Sequence, residues 1–497
     1  MGVMDYSILK SGTDIRGVAT DKGGNIVTLT PIVIYEITAA FVEWVINKYG
    51  GDITRIKIAV GHDSRITSGD ISEIVKQAII KSGINVVDCG LSSTPAMFMT
   101  TVDLGVVAAI EVTASHHPFD RNGLKFFTRD GGLDGVDIDE IILLANNVSV
   151  RRTDFTGYIT KVNYMQDYAA RLRRLICDAV GKSETELPLR GYKIVVDAGN
   201  GVGGFYVKEV LQKLGADTTG SRFLEPDGMF PNHIPNPENE EAMHSICDAV
   251  KQNNADLGII FDTDVDRAGC VGSDGKEINR NKLIALASYI ATRNEKDAII
   301  VTDSITSDGL KEYIESELRC KHYRYRRGYK NVIDKAIEFT LQGLNCPLAI
   351  ETSGHAAFKE NFFLDDGAYL VTKVVIELAK GNNINDILKQ LKLPCEEKEI
   401  RIEIIAEEFK SYGDKVLKDF EEYVSKISEY RIADDNREGI RVSTPNGWFL
   451  LRLSVHDPVI VLNLESNING GNEIVYLILK SFFAQFEALI LPELLKI

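Results

Sequence analysis

Paired cysteines are missing from this chain: its seven cysteines (Cys89, Cys177, Cys247, Cys270, Cys320, Cys346 and Cys395) are odd in number, far apart and include no CxxC. That spacing argues against a disulfide framework and favours buried, reduced thiols. Long hydrophobic runs are also missing. No apolar stretch approaches the roughly 18 residues of a membrane span, and the tail from residue 482 to 497 is interrupted by Gln485, Glu487, Pro492 and Glu493, so no membrane partner is expected. The start, Met1-Gly2-Val3-Met4-Asp5-Tyr6, has no basic segment leading into an apolar core, and Tyr6 stands where a myristoylation signal carries Ser or Thr. An unprocessed, cytoplasmic protein is expected. Positive charge is in deficit, with a formal net charge of −16, which argues against a duplex-wide grip on nucleic acid. Any anionic ligand must therefore meet a locally positive site.

What is present is ordinary globular composition, 44% apolar and 26% charged over 497 residues, which is too long for one core and suggests about three or four domains. Short β-branched runs alternate with helical patterns. Residues 56–60 precede a helical 71–82, residues 194–197 precede 204–215, and further runs lie at 257–262 and 298–302. This rhythm predicts α/β units with mainly parallel sheets and functional loops at the C-terminal ends of strands. Beyond about residue 395 the texture changes to an α+β unit, with strands at 399–405, 448–453 and 458–464 and a helix over 409–427.

Three segments carry chemistry. Glu111-Val112-Thr113-Ala114-Ser115-His116-His117-Pro118, with Asn122-Gly123-Leu124-Lys125 beyond it, follows the apolar run 106–110. This places Ser115 on a strand-end loop. A serine carries a transferable phosphoryl group only where positive charge and a proton carrier stand nearby, and Lys125, His116 and His117 are candidates. Asp262-Thr263-Asp264-Val265-Asp266-Arg267 follows a second apolar run. In an extended chain its carboxylates at i, i+2 and i+4 converge on one side, where a hard divalent cation relieves their repulsion. The third segment, Glu351-Thr352-Ser353-Gly354-His355, offers the mixed donors and acceptors that sugar hydroxyls require.

In their order these segments resemble the α-D-phosphohexomutase family, the phosphoglucomutases and phosphomannomutases. Thr13-Asp14-Ile15-Arg16-Gly17, Gly61-His62-Asp63-Ser64-Arg65, Val196-Asp197-Ala198-Gly199-Asn200-Gly201, Pro231-Asn232-His233-Ile234-Pro235-Asn236-Pro237 and Arg452-Leu453-Ser454 also match in sequence, so the resemblance spans nearly the whole chain. It implies four domains around a central cleft: three related mixed-sheet α/β units (1–163, 164–275, 276–392) and a smaller α+β unit (393–497). It implies Ser115 as phosphoserine, itself facing the metal, Lys125 as general base, His116 as general acid and Arg16 beside the phosphoserine. Asp262, Asp264 and Asp266 would hold Mg²⁺. Arg65, Arg267, Lys330, Glu351, Ser353 and His355 would meet substrate, and Arg452, Ser454 and His456 would clamp a phosphate.

The implied activity interconverts hexose 1- and 6-phosphates of glucose or mannose, with a glucosamine phosphate as a sister substrate. It runs through a hexose 1,6-bisphosphate, which also serves as activator, in a monomer or dimer. The chain departs from the usual phosphate loop, Arg-Pro-Ser-Gly-Thr-Glu-Pro, by carrying Val455 and His456 where a small residue and Thr are expected. Arg441-Val442-Ser443-Thr444-Pro445 is a decoy, lacking the following strand and acidic end. Ile350 and Thr352 replace a Gly and a Met, and His117 an Asn. Two other readings stand beside this one. The first is a catalytically impaired relative that binds sugar phosphates, and the second is an aspartate-nucleophile phosphatase, because Asp262-Thr263-Asp264-Val265 resembles the haloacid-dehalogenase motif.

Overall fold

The computed structural model describes residues 5–50, 52–147, 155–293, 295–454 and 457–496. The chain divides into two compact units, residues 1–279 with 353–386, and residues 280–352 with 387–497. The fold is that of three α/β/α domains with mixed sheets and a C-terminal domain built on an antiparallel sheet.

In the first unit the strand Lys57–His62 pairs in parallel with Asn85–Leu91 and Ala108–Val112. There the parallel pattern stops. Ala108–Val112 turns back into Arg121–Thr128, which pairs antiparallel with Asp14–Val18. The next sheet repeats the plan: Leu257–Phe261 lies parallel to Ile194–Asp197 and then turns back into Ala268–Gly272. The mainly parallel sheets suggested by the strand–helix rhythm are thus corrected to mixed ones, as the family resemblance implies. Alternating apolar runs fix which residues are strands, but not what the chain does after each strand. Both reactive segments are hairpin loops, so each is held at both ends by one ladder.

The helices Pro31–Tyr49, Ser68–Lys81 and Gly135–Asn146 pack on the first sheet through Phe41, Val45, Ile79, Ile138 and Ile141, all buried. The expected helix at 204–215 forms, wound over Tyr206–Leu211 as a π-helix.

In the second unit Ile299–Asp303 pairs in parallel with Lys321–Tyr325 and Leu348–Ile350. The C-terminal sheet, including Glu396–Ile404, Gly447–Leu453 and Val459–Ser466, is antiparallel. One face buries Ile400, Ile402, Phe449, Leu451 and Leu462 under the helices Phe409–Ser425 and Gly471–Phe483. The opposite face carries the alternate residues, among them Glu399, Arg452, Asn463 and Glu465. No helix among the described residues is long and apolar enough to cross a membrane.

Glu465 shows what that second face does to charge. It is 7% exposed and accepts a 2.7 Å hydrogen bond from Trp448 Nε1, and burial, with Glu397 adding to it, pushes its carboxyl up to about 8. A folded pKa above the unfolded value contributes stability at low pH that is lost as pH rises from the ordinary carboxyl range through about 8. The melting temperature should therefore fall between these limits. Glu465→Gln keeps the volume and an acceptor for Trp448, so thermal melts across that range should show a flatter dependence and a more stable protein at the alkaline end.

Candidate active site

Ser115 is held by a brace that starts from the backbone. Its φ of 51° lies in the left-handed region that non-glycine residues avoid, and it is 3% exposed. Its N–H donates to Thr113 Oγ1 (2.9 Å), which itself donates to Asp63 Oδ2 (2.7 Å). Asp63 pairs with Arg65 (3.2 Å). Arg65 donates to the carbonyls of Pro118 (2.7 Å), Arg121 (3.0 Å), His117 (2.6 Å) and Ser115. Four guanidinium hydrogen bonds, all from Nη1 and Nη2, are thus directed at four carbonyls, and Nε faces the Asp63 carboxylate as an ion pair. Arg65 holds the loop from beneath.

On the open side, Ser115 Oγ lies 3.1 Å from Asp262 Oδ2, 3.3 Å from Arg267 Nη2 and 3.4 Å from His116 Nδ1. Arg16, pairing with Asp14 at 2.7 Å, adds to the positive field. Burial, then Arg267, His117 and Arg16, hold His116 far below its ordinary range. Burial, then Arg16, Arg65, Arg121 and Arg267, bring His117 down to about 3. Both imidazoles are neutral beside a free serine. A chain of net charge −16 therefore presents a cation-rich loop at Ser115.

The second hairpin brings Asp262, Asp264 and Asp266 together, with one carboxylate oxygen from each within 4.8 Å of the others. They converge through a tight turn and not through the extended chain expected, since Val265 has φ 66°. For a β-branched residue that is a strained conformation. Neighbouring elements hold it in place. Val265 O accepts from Gly367 N–H (3.1 Å), and Thr263 O accepts from Val202 N–H (2.8 Å). A side chain at Gly201 would sit 2.6 Å from Thr263 O. His233 Nε2 meets Asp197 Oδ1 at 3.0 Å, and Asn232 donates to Asn200. The segments 196–201 and 231–237 are therefore scaffold for the carboxylate turn.

Lys125, register partner of Glu111, places Nζ 3.0 Å from Asp264 Oδ2 and 2.5 Å from Asp266 Oδ2. Thr94 Oγ1 also donates to Asp264 Oδ2 (2.6 Å). Burial and the charges of Asp266 and Asp264 push Asp262 well up. Burial would raise Asp266 too, but Lys125, His355 and Arg267 hold it well below the carboxylate range. Asp264 Oδ1 and Asp266 Oδ1 are buried without a hydrogen-bond partner among the described residues. Hard oxygen donors left over in this way fit a hard divalent cation.

Thr94 is one participant that residue order does not reveal, and Glu111 and Asp365 are two more. Glu111 is wholly buried with both oxygens unpartnered among the described residues, and burial, then Asp63 and Asp264, hold it well above the carboxyl range. Asp365 takes the Nδ1 hydrogen bond of His355, which itself bridges to Arg267. Ser353 is buried in the same segment as His355.

In the second unit, Glu351 Oε1 accepts from Gly328 N–H at 2.6 Å. Lys330 pairs with Asp334 on its own helix (2.5 Å). Arg452 lies on Gly447–Leu453 with Ser454 just beyond it, and Ser454 Oγ accepts from Asp457 N–H (3.3 Å). Val455 and His456 lie outside the described residues. The decoy Arg441 stands on a strand of its own and, contrary to expectation, a strand follows it. Its guanidinium is 3.5 Å over the Trp448 ring and donates to Ser304 O, Thr306 O and Asp308. These contacts commit it to structure.

Comparison with known proteins places the chain. Family models described as phosphoglucomutase/phosphomannomutase, alpha/beta/alpha domains I, II and III, match residues 8–148, 166–275 and 279–393. A phosphomannomutase/phosphoglucomutase of Pseudomonas syringae pv. tomato is 29% identical over 93% of this chain and 91% of its own, and a phosphoglucomutase of Neisseria gonorrhoeae is 28% identical over 93% of each. A solved phosphoglucomutase/phosphomannomutase family protein from Burkholderia thailandensis superposes with a TM-score of 0.79 at 26% identity, over 96% of this chain and 98% of that one. The chain belongs to the phosphoglucomutase/phosphomannomutase family.

Two outcomes follow from the geometry. Arg65→Met removes the brace and leaves buried acceptors unpaired, so denaturant unfolding should show a loss of about 3–5 kcal/mol. Asp264→Asn removes a hard anionic ligand and should weaken Mg²⁺ binding by about tenfold or more while leaving the circular dichroism spectrum unchanged. Calorimetric titration checks it.

Proposed function

We propose that this chain is a phosphohexomutase that interconverts the 1- and 6-phosphates of glucose, mannose or both through phosphoserine at Ser115. The observation that carries the reading is the position of Ser115 Oγ, within 3.5 Å of Asp262, Arg267 and His116 at once. A serine left-handed, buried and surrounded by arginines is costly unless it carries an anion. In the forward step the bond from phosphorus to Ser115 Oγ breaks as a bond forms from phosphorus to a sugar hydroxyl. The hydroxyl proton leaves and the seryl oxygen gains one. Lys125, which would become a neutral amine once a divalent cation takes its place on Asp264 and Asp266, is assigned the first proton, and His116 the second. His116 is neutral beside a free serine, and a phosphate dianion on Ser115 raises its proton affinity, making it a donor when needed.

Asp262, Asp264 and Asp266 would hold Mg²⁺, which supplies charge neutralisation to the transferring phosphoryl group when bound. Arg267 and Arg16 would orient the phosphoryl oxygens, and Arg65 holds their platform. Glu351, Ser353 and His355, with Lys330, are assigned to the sugar and its approach. The hexose 1,6-bisphosphate formed in the first half-reaction must be held while it reorients, which calls for a phosphate clamp at Arg452, Ser454 and His456. The same bisphosphate would act as activator by phosphorylating free Ser115. Domain boundaries after residues 163, 275 and 392, a monomer or dimer, and a cytoplasmic location complete the reading. Seven free cysteines, six of them buried, support the last.

Turnover tests the proposal. With Mg²⁺ and catalytic hexose bisphosphate, the protein should convert glucose 1-phosphate or mannose 1-phosphate to the 6-phosphate. Ser115→Ala should lower kcat by at least about a thousandfold, as loss of a covalent nucleophile does. Hydrolysis to free sugar and phosphate, undiminished in Ser115→Ala, would favour the aspartate-nucleophile reading instead.

A further inference from the structure

The face of the C-terminal sheet turned away from its apolar core carries a charge cluster on three adjacent strands. Glu399 is the register partner of Asn463, and Arg452 the partner of Val461, two residues along the same strand. The pleat therefore sets Glu399, Asn463 and Arg452 on one side. Arg452 is 7% exposed, and its Nε is buried without a hydrogen-bond partner among the described residues. Burying a guanidinium without full pairing is costly, and such a group is an anion receptor awaiting its anion.

A second guanidinium faces it. Arg327 donates its backbone N–H to Glu438 Oε2 at 3.1 Å, and its side chain lies 3.7 Å from Glu399 Oε2 and 4.0 Å from Asp303 Oδ2. Glu399 accepts from Asn463 Nδ2 at 3.0 Å. Burial opposes its ionisation, but Asn463, Arg327 and Arg452, with Arg401 3.5 Å away on the outer side, together keep it below the usual carboxyl range. One ionised carboxylate thus lies between two arginines and aligns them. Asp303 is occupied by the Thr352 hydroxyl and N–H, and Glu438 by the Ser304 hydroxyl as well as Arg327 N–H.

We propose that Arg327 and Arg452 form a two-arginine clamp for the phosphate monoester of the substrate, Arg327 supplying donors that the family's phosphate loop takes from its glycine and threonine. The inference rests on the mutase reading and assigns its distal phosphate a receptor. Two planar forks can each grip a phosphate bidentately, and a dianion between them relieves their mutual repulsion. Arg327 precedes Gly328, and the neighbouring Lys330 is tied to Asp334.

The test uses the full-length protein without divalent cation, titrated calorimetrically with glucose 1-phosphate. Arg327→Gln and Arg452→Gln should each raise Kd by about tenfold or more. Arg327→Lys, which keeps the charge but loses the fork, should fall between wild type and Arg327→Gln. Arg431→Gln, an exposed arginine on the same sheet, should bind like wild type. In turnover assays both clamp variants should raise KM and release more bisphosphate per cycle. If Arg327→Gln binds like wild type while Arg452→Gln is weakened, Arg327 is a structural tie and the proposal is wrong. Equal weakening by Arg431→Gln would also overturn it, because the effect would then be a diffuse field. Should the wild type turn over no hexose phosphate while both clamp variants still lose affinity, the mutase reading fails and the clamp stands.

Discussion

Three carboxylates within 4.8 Å of one another, all but sealed from water, cannot be left to repel, and the first unit is arranged around that constraint. Lys125 comes from the sheet hairpin of the first domain, Arg267 from the carboxylate turn itself, and His355, held by Asp365, from the segment 353–386. Each cation arrives from a different stretch of sequence, so the turn can be electrically satisfied only when these stretches are assembled. Arg267 also reaches Ser115 Oγ. The same charge that neutralises the carboxylates therefore serves the serine.

Strain is concentrated in the same place. Ser115 and Val265 both have positive φ, and each is held by neighbours that have little freedom: Arg65 with Asp63 under one loop, Gly201 and Gly367 against the other. Such conformations persist only where the surroundings over-determine them. That explains why glycine-rich and proline-rich segments far from the reactive groups were legible as family motifs. The Pro231–Pro237 and Val196–Gly201 stretches act as scaffold, and Asn236 also meets Arg267. They interlock through His233, Asp197, Asn232 and Asn200 and so fix the turn that does the chemistry.

Much of this could be read from residue order. The strands before Ser115 and Asp262 were visible as apolar runs, the acidic turn as three alternating carboxylates, and the C-terminal unit as a change of texture. What periodicity could not convey was the direction of the next strand, so two antiparallel hairpins were expected as parallel α/β loops. Glu111, Thr94 and Asp365 left no signal, because a buried carboxyl or hydroxyl is recognised by what surrounds it and its neighbours come from distant sequence. Arg327 was hidden for a related reason. Adjacent basic residues look alike in sequence, and only their partners distinguish Lys330, tied to Asp334, from Arg327, aligned by Glu399 beside Arg452.

The account depends on Ser115 being the group that carries phosphate. The direct measurement is to mix the protein with Mg²⁺ and one equivalent of radiolabelled glucose 1,6-bisphosphate, quench in acid within the first turnovers, and map the label by peptide mass spectrometry. Label on the peptide containing Ser115, stable to acid and hydroxylamine, is the predicted result. A hydroxylamine-labile acyl phosphate on Asp262, with Ser115 unmodified, would contradict it.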